Sequence, residues 1–414
     1  RLKRACVRKE NMHSVNRCRR RTAPASFAFV FVAAPWYQRV KPVTTVNLFR
    51  RKIWRKSNKA FVKNRRSVKN TLVQDPPTIQ AASSGKIYEF EEDHLHLQQN
   101  KLLGTGAFSR VFKAIVTGGF EELIGQEVVV KTLLKDKESF RQGEVELYVN
   151  SKLAQLSPRS RNIAHFLGHH IIDNRFWLVW SLEGERTLDS YFQTDSGLAK
   201  LVSRLEGTKT LSVKDLNSNP IKKQIVMAEI ASQLFKGLRV MHDQSLVHKD
   251  MKPMNVVLGD TDGQLKLIDF GCCAQWNAHE LGDGEAPREY PGGTRAYAAP
   301  EKTLDVSCPA AFDMFAVGMM MLLVPFRFLR QHSSLDTFRD EFDAVDGNLE
   351  AWAAKKAKTV DASKLQEGLK VLLANDGVGL DFLQRLLLPD PTKRMTIEEA
   401  QSHQLMQIRD EPPL

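Results

Sequence analysis

The chain has 414 residues, 42% of them hydrophobic and 26% charged, a composition that excludes a wholly disordered, collagen-like or disulfide-dense protein. Five cysteines do not make a disulfide framework, and the longest apolar run, Ala25–Ala34, is about half of what a membrane-spanning helix needs. The net charge of +12 divides unevenly: residues 1–73 hold 21 Lys and Arg against one acid, Glu10, and the remaining residues sum to −8. The basic pI is therefore no argument that the body of the chain binds nucleic acid, and no specific nucleic-acid partner is expected.

Residues 1–85 read as a basic arm and linker with no sustained periodicity. From Met12 onward, Arg17 and Arg19–Arg21 precede an apolar stretch, Phe27–Ala34, and small residues before Pro35, a signal-peptide layout. The next forty residues are rich in Arg and Lys and free of acid, like a transit peptide. One after the other they suit a plastid with extra membranes; a cytoplasmic protein with a disordered tail is the alternative. A third reading is a surface-binding arm, because Asn47–Val62 interleaves Leu48, Phe49, Ile53, Trp54 and Phe61 with cations and suits an anionic membrane surface. Gln74–Pro77 and Ala81–Gly85 read as linker.

From about residue 95 the pattern changes. Lys101-Leu-Leu-Gly104-Thr105-Gly106-Ala107-Phe108-Ser109-Arg-Val111-Phe is followed by Glu127-Val-Val-Val-Lys131, two apolar runs around a Gly-x-Gly that predict a hairpin. Glycine lets backbone N–H groups approach phosphate oxygens closely, but Ser109 stands where a third glycine is usual. Downstream come Val247-His248-Lys249-Asp250-Met-Lys252-Pro-Met-Asn255, then Leu267-Ile-Asp269-Phe270-Gly271, then Gly293-Thr294-Arg-Ala-Tyr-Ala-Ala-Pro300-Glu301.

These four motifs, in this order, resemble the signature set of the protein kinases, over roughly residues 95–410. The resemblance implies an α+β, two-lobed fold: a small antiparallel β-sheet with one helix over about 95–182, and a mainly helical lobe over about 183–408. It implies ATP in the cleft, with Gly104, Thr105, Gly106, Ala107, Val111 and Lys131 around the phosphates and Ser181, Leu182 and Glu183 at the hinge. Asp250 then takes the proton of the substrate hydroxyl, Lys252 contacts the transferred phosphate, and Asn255 and Asp269 hold Mg²⁺. Trp180 falls at the back of the nucleotide pocket, where its bulk should close the space behind adenine.

Lys131 needs a carboxylate from the next helix, and Glu144 and Glu146 both offer one. They face different sides of a helix. Glu144 is chosen because Tyr148, one turn on, can pack inward, whereas Glu146 would bring Asn150 into an apolar position. Glu301 and Arg394 are expected to pair, and Asp313 to anchor the catalytic loop. Residues 195–220 read as an insertion loop before a helix beginning near Pro220, and Met227–Met241 reads as core.

Lys252, two residues after Asp250, and Thr294 place the chain in the serine/threonine class, with a protein Ser or Thr hydroxyl as acceptor. Lys249 stands where arginine is usual and lacks its planar fork. No Ser or Thr lies between Gly271 and Thr294, and Glu280, Asp283, Glu285 and Glu289 are expected to supply that loop's negative charge permanently, with Tyr290 the sole hydroxyl. Cys272 and Cys273 are either small buried hydrophobes or a redox pair. The stretch Phe176–Tyr191 further resembles the hinge of the plant and algal thylakoid state-transition kinases. The alternative function is a catalytically inactive pseudokinase scaffold.

Overall fold

A computed structural model describes residues 85–205, 212–276, 293–301, 304–305, 307–358 and 362–408. All lie within the unit Pro76–Leu414. The basic arm and the acidic segment Glu280–Tyr290 fall outside the described residues.

The small lobe is a six-stranded sheet in the order β1-β5-β6-β4-β3-β2. Its strands are β1 (Tyr88–Glu89), β2 (Leu95–Thr105), β3 (Ser109–Val116), β4 (Glu127–Leu133), β5 (Phe166–Ile172) and β6 (Arg175–Ser181). The sheet is mixed rather than antiparallel, since β1 runs parallel to β5. It also begins earlier than residue 95: Tyr88 and Phe90 are buried in its outer core. The acidic stretch around them, Glu89–Asp93, hides a two-residue strand from any periodicity argument. Gly168 is what admits β1, because a Cβ there would lie 1.9 Å from the Tyr88 carbonyl oxygen.

In β4 the two-residue period of a strand decides which face each side chain takes. Val128 and Val130 are fully buried on the outer face, and Val129 and Lys131 turn to the other. Helix α1 (Lys137–Ala154) lies on that second face, started by Asp136, whose carboxylate caps the Ser139 N–H at 2.9 Å. Gly143 sets how closely α1 approaches the sheet: a Cβ there would meet the Phe176 ring at 2.4 Å.

The large lobe is helical. After the link 182–187 come α2 (Leu188–Phe192), α3 (Asp195–Val202), α4 (Val213–Ser218) and α5 (Pro220–Asp243). Residues 195–220 are thus not one insertion loop. Thr194 caps α3 through Gly197 N, and Leu198, Leu201 and Val202 are buried; polar composition concealed a short amphipathic helix. Asn219 caps α5 and Pro220 occupies its first turn, where a missing N–H costs nothing. Helix α6 (Ala311–Met321) is buried on every side, as expected of a helix apolar all round. Helices α7 (His332–Asp343), α8 (Leu349–Lys356), α9 (Ala362–Leu386), α10 (Ile397–Ser402) and α11 (Gln404–Gln407) complete the lobe. Helix α9 breaks at Ala374–Gly377, where Asn375, Asp376 and Gly377 adopt positive φ, which these three residue types tolerate. No helix among the described residues is long and apolar enough to cross a membrane.

Two small ladders serve the site. Strand β7 (Leu246–Val247) pairs with β10 (Ala274–Gln275), and β8 (Val256–Leu258) with β9 (Leu265–Leu267). Residues 248–255 are slung between β7 and β8, and residues 268–273 between β9 and β10.

Candidate active site

Loop 248–255 hangs from one buried carboxylate. Asp313, on α6, accepts from the backbone N–H groups of His248 and Lys249, each at 2.9 Å, and lies 2.9 Å from His242 Nε2. Burial alone would raise the Asp313 pKa; the hydrogen bond and charge at His242 and the charge of His248 outweigh it and hold the carboxyl below its usual range. Lys249 takes φ +66° at this turn.

Asp250 is the hub of the loop. Its Oδ1 accepts from Thr294 N at 3.0 Å, and its Oδ2 accepts from Lys252 Nζ at 2.6 Å and Asn255 Nδ2 at 3.1 Å. Asn255 Nδ2 also donates to the Asp250 carbonyl at 2.8 Å, and Lys252 Nζ reaches Thr294 Oγ1 at 3.1 Å. Only the nitrogen of the Asn255 amide can serve these two acceptors. Its Oδ1 is therefore turned away from Asp250 as a hard oxygen donor. Thr294, read in the sequence as a class marker, proves to be part of Asp250's hydrogen-bond shell.

The second group of charges contains a correction. Lys131 Nζ lies 2.7 Å from Glu146 Oε2 and 2.7 Å from Asp269 Oδ1; the partner is Glu146, not Glu144. Glu146 is buried, whereas Glu144 faces solvent. The objection to Glu146 was Asn150, and the structure removes it. Asn150 is 1% exposed, donates through Nδ2 to the Glu146 carbonyl at 2.8 Å and accepts from Trp180 Nε1 at 3.0 Å. With both ends of the buried amide paired, its hydrogen bonds offset the cost of taking it out of water. Tyr148, expected inside, is 40% exposed and donates to Gln275 Oε1 at 2.8 Å.

Burial opposes the Lys131 charge, but Asp269 and Glu146 outweigh it and raise the Lys131 pKa. Against the desolvation of its surroundings, Lys131 likewise holds the Asp269 carboxyl below its usual range. For Glu146 burial wins, and its pKa is raised. Asp269 adopts φ +64°, a conformation that Asp tolerates. Its carboxylate and the Asn255 amide oxygen are the hard donors that Mg²⁺ prefers, so the residues present fit this ion.

The glycine loop is the β2–β3 turn, closed by Gly106 N donating to Ser109 O at 2.9 Å. Gly104, Thr105, Gly106 and Ala107 line this turn, and a Cβ on Gly104 would meet nothing within 4 Å. Val111 sits opposite Lys131 in the β3–β4 ladder. At the end of β6, Trp180 is 8% exposed and packs edge-on to Phe166. Beyond it, Ser181 N donates to the His165 carbonyl at 2.9 Å, and the Glu183 carbonyl accepts from Asp260 N at 2.8 Å. That carbonyl is thus committed within the protein, which narrows the hinge groups expected to meet adenine.

His165 backs the hinge, its Nδ1 3.1 Å from Ser181 Oγ. Burial, with the nearby charges of Arg159 and Lys266, lowers its pKa to about 4. In an unfolded chain histidine titrates near ~6.5. The folded state therefore resists the proton: the contribution is complete above pH ~6.5 and is lost as pH falls toward 4. Replacing His165 with Gln should remove about 3 kcal/mol of the stability lost between pH 7 and pH 4, read from urea midpoints of both proteins at each pH.

Cys272 and Cys273 sit on the turn after Asp269. Burial, then the charges of Asp250 and Asp269, push the Cys272 thiol up to about 12. Burial and the Asp313 charge push the Cys273 thiol well above its ordinary value. The thiolate is the reactive species in alkylation and oxidation. Iodoacetamide at pH 8 should label Cys272 about a thousandfold more slowly in the native chain than in urea, and Cys273 far more slowly as well, measured by peptide mass spectrometry. Equal rates would restore the redox reading.

Far from the cleft, Arg394 and Glu301 form a two-point pair at 2.8 and 3.0 Å. Arg394 also donates to the carbonyls of Leu388, Ala311 and Pro389. Its guanidinium carbon lies 5.1 Å from the Phe315 ring centroid.

With this fold and these side chains in place, the class is defined: the chain belongs to the protein kinase family, whose protein kinase domain profile matches residues 97–406. Among relatives, it is 25% identical over 331 residues to the serine/threonine-protein kinase STN7, chloroplastic, of Arabidopsis thaliana, covering 73% of this chain and 56% of that protein. It is 27% identical over 306 residues to STN8, chloroplastic, of the same plant, covering 66% and 57%. The chain thus spans a little over half the length of these curated relatives. A crystal structure of a Stt7 homolog from Micromonas algae, soaked with ATP, superposes with a TM-score of 0.60 at 23% identity, over 81% of this chain and 98% of that one. These relatives agree with the resemblance to the thylakoid state-transition kinases.

Proposed function

We propose that the chain is an ATP-dependent protein serine/threonine kinase, comprising a kinase domain over about 95–410 behind a basic targeting arm. The observation that carries this reading is the set of bonds around Asp250. A carboxylate offers about four lone-pair sites, and three are taken by Thr294 N, Lys252 Nζ and Asn255 Nδ2. Among the described residues the fourth site, on Oδ1, is left without a partner. It suits the incoming hydroxyl of a protein Ser or Thr, whose oxygen forms the new bond to the γ-phosphorus as the β–γ bridging bond breaks and ADP leaves. The hydroxyl proton passes to Asp250.

Lys252, held between Asp250 and Thr294, offers its ammonium to the transferred phosphoryl group. Lys131, fixed by Glu146 and Asp269, reaches the nonreacting phosphates from the roof of the cleft. Asn255 and Asp269 would hold Mg²⁺, which when bound neutralises charge on the phosphates. Gly104–Ala107 cover them, and Ser181–Glu183 receive the adenine. Positioning and charge neutralisation are what this chemistry needs most.

The chloroplastic relatives and the acid-poor arm support a plastid location and protein substrates there. The test is transfer of labelled γ-phosphate by the full chain with Mg²⁺ and a generic protein, beside Asp250→Asn. Phosphoserine or phosphothreonine that disappears in the variant is expected. ATP binding without transfer in the unaltered chain would favour the inactive scaffold, and mainly phosphotyrosine would overturn the acceptor class.

A further inference from the structure

Asn150 takes none of the roles above and Trp180 only that of filling the space behind adenine, yet together they join the helix that carries Glu146 to the strand that leads into the hinge. Trp180 Nε1 donates to Asn150 Oδ1 at 3.0 Å, and the other end of that amide is bonded to the Glu146 carbonyl at 2.8 Å. Both side chains are buried. Glu146 and Asn150 are one turn apart on α1 and face the same way, one toward Lys131 and the other toward Trp180.

We propose that the Asn150–Trp180 hydrogen bond is a polar tether that holds α1 against the sheet and so keeps Glu146 on Lys131; Asn150 is a positioning residue for phosphoryl transfer. The argument is one of alternatives. An indole N–H is a donor with no acceptor capacity, and a buried one needs a partner. If α1 swings out or turns, the Glu146–Lys131 pair and this bond break together, leaving the Trp180 N–H and the Asn150 Oδ1 unpaired. An apolar contact at the same place would tolerate sliding, because it has no direction. The hydrogen bond has one, and it makes the position of α1 closer to all-or-none. The bulk that closes the space behind adenine thus has a second use, as the donor of the tether.

The tether rests on the kinase reading for its effect on rate, so the test has two readouts in the full chain. Trp180→Phe removes the donor and Asn150→Leu the acceptor, each leaving a buried polar group or an apolar mismatch. The double variant replaces both with apolar groups, a change that is far better tolerated than either alone. Each single variant should lower kcat about tenfold or more with the KM for ATP changed less than about threefold. The double should recover to within about threefold of the unaltered chain. In parallel, amide hydrogen exchange at residues 146–150 should quicken in the singles and return in the double, while α5 and α6 stay unchanged.

Single variants with kcat within twofold of the unaltered chain and unchanged exchange in α1 would overturn the tether. So would a double variant as slow as the product of the singles. If the unaltered chain transfers no phosphate, the kinase reading fails by itself, and the exchange pattern still decides the tether.

Discussion

Asp250→Asn should lower kcat about a thousandfold or more and leave the folded domain in place. The general base alone is worth roughly 10²–10⁴-fold. An amide of the same shape can still accept from Thr294 N, so the loop keeps its link to residue 294. Its nitrogen would face Lys252 Nζ and Asn255 Nδ2, both donors, in place of an oxygen that now accepts from both. The variant therefore loses the proton acceptor and the anchor that orients Lys252 in the same step. In the proposed mechanism Asp250 engages the hydroxyl substrate and not ATP, so KM for ATP should stay close to that of the unaltered chain, and a fall in kcat without a rise in that KM is the signature of a contact made in the transition state. Steady-state kinetics with thermal melting as a control settles it. A kcat within tenfold would remove Asp250 from the chemistry.

Arg394→Ala should cost about 4 kcal/mol of stability without touching the cleft. Arg394 has no exposed side-chain surface, and Glu301 is 14% exposed. Removing one partner of a buried pair leaves the other charged and desolvated, typically a loss of ~3–5 kcal/mol. Here the three carbonyls that Arg394 ties together, on Leu388, Pro389 and Ala311, would also lose their donor. For a domain of this size the melting temperature should drop by roughly 6 °C. Arg394→Lys keeps the charge and loses the planar five-donor fork, so it should fall between. In both variants kcat per folded molecule should stay within about threefold. A melting temperature within about 2 °C of the unaltered chain would show that the pair contributes little.

Much of the site is legible without coordinates because its chemistry is set by residue type at short spacing. Asp250, Lys252 and Asn255 span six residues, and a single tight turn suffices to bring them together. Asp313 and the Glu301–Arg394 pair also stand where their motifs imply, since each carries an obligate partner. Where reading the chain goes wrong, the answer depends on a partner far away in sequence. The choice between Glu144 and Glu146 is a question of how α1 is rotated on the sheet. Both residues satisfy the helical pattern, and Asn150 looks unfit for an interior until Trp180, thirty residues on, supplies its donor. A polar residue in an apolar helical stripe was the available signal. The two-residue β1 and the helix α3 are short, lie in polar stretches of the chain and are stabilised by contacts with β5 and with the buried face of the large lobe, which no local pattern records.

By itself, then, the amino-acid sequence determined the family, the order of the chemical groups and the division of charge between a basic arm and a mildly acidic body, because these follow from which residues occur and at what separation. The tertiary structure alone decided the rotation of α1, the partner of Lys131, the use of Trp180 as a donor and the burial that raises the thiols of Cys272 and Cys273. Those depend on burial and on hydrogen bonds between strands and helices remote in the chain: Gly143 seated on Phe176 sets the distance, and the paired amide of Asn150 sets the angle.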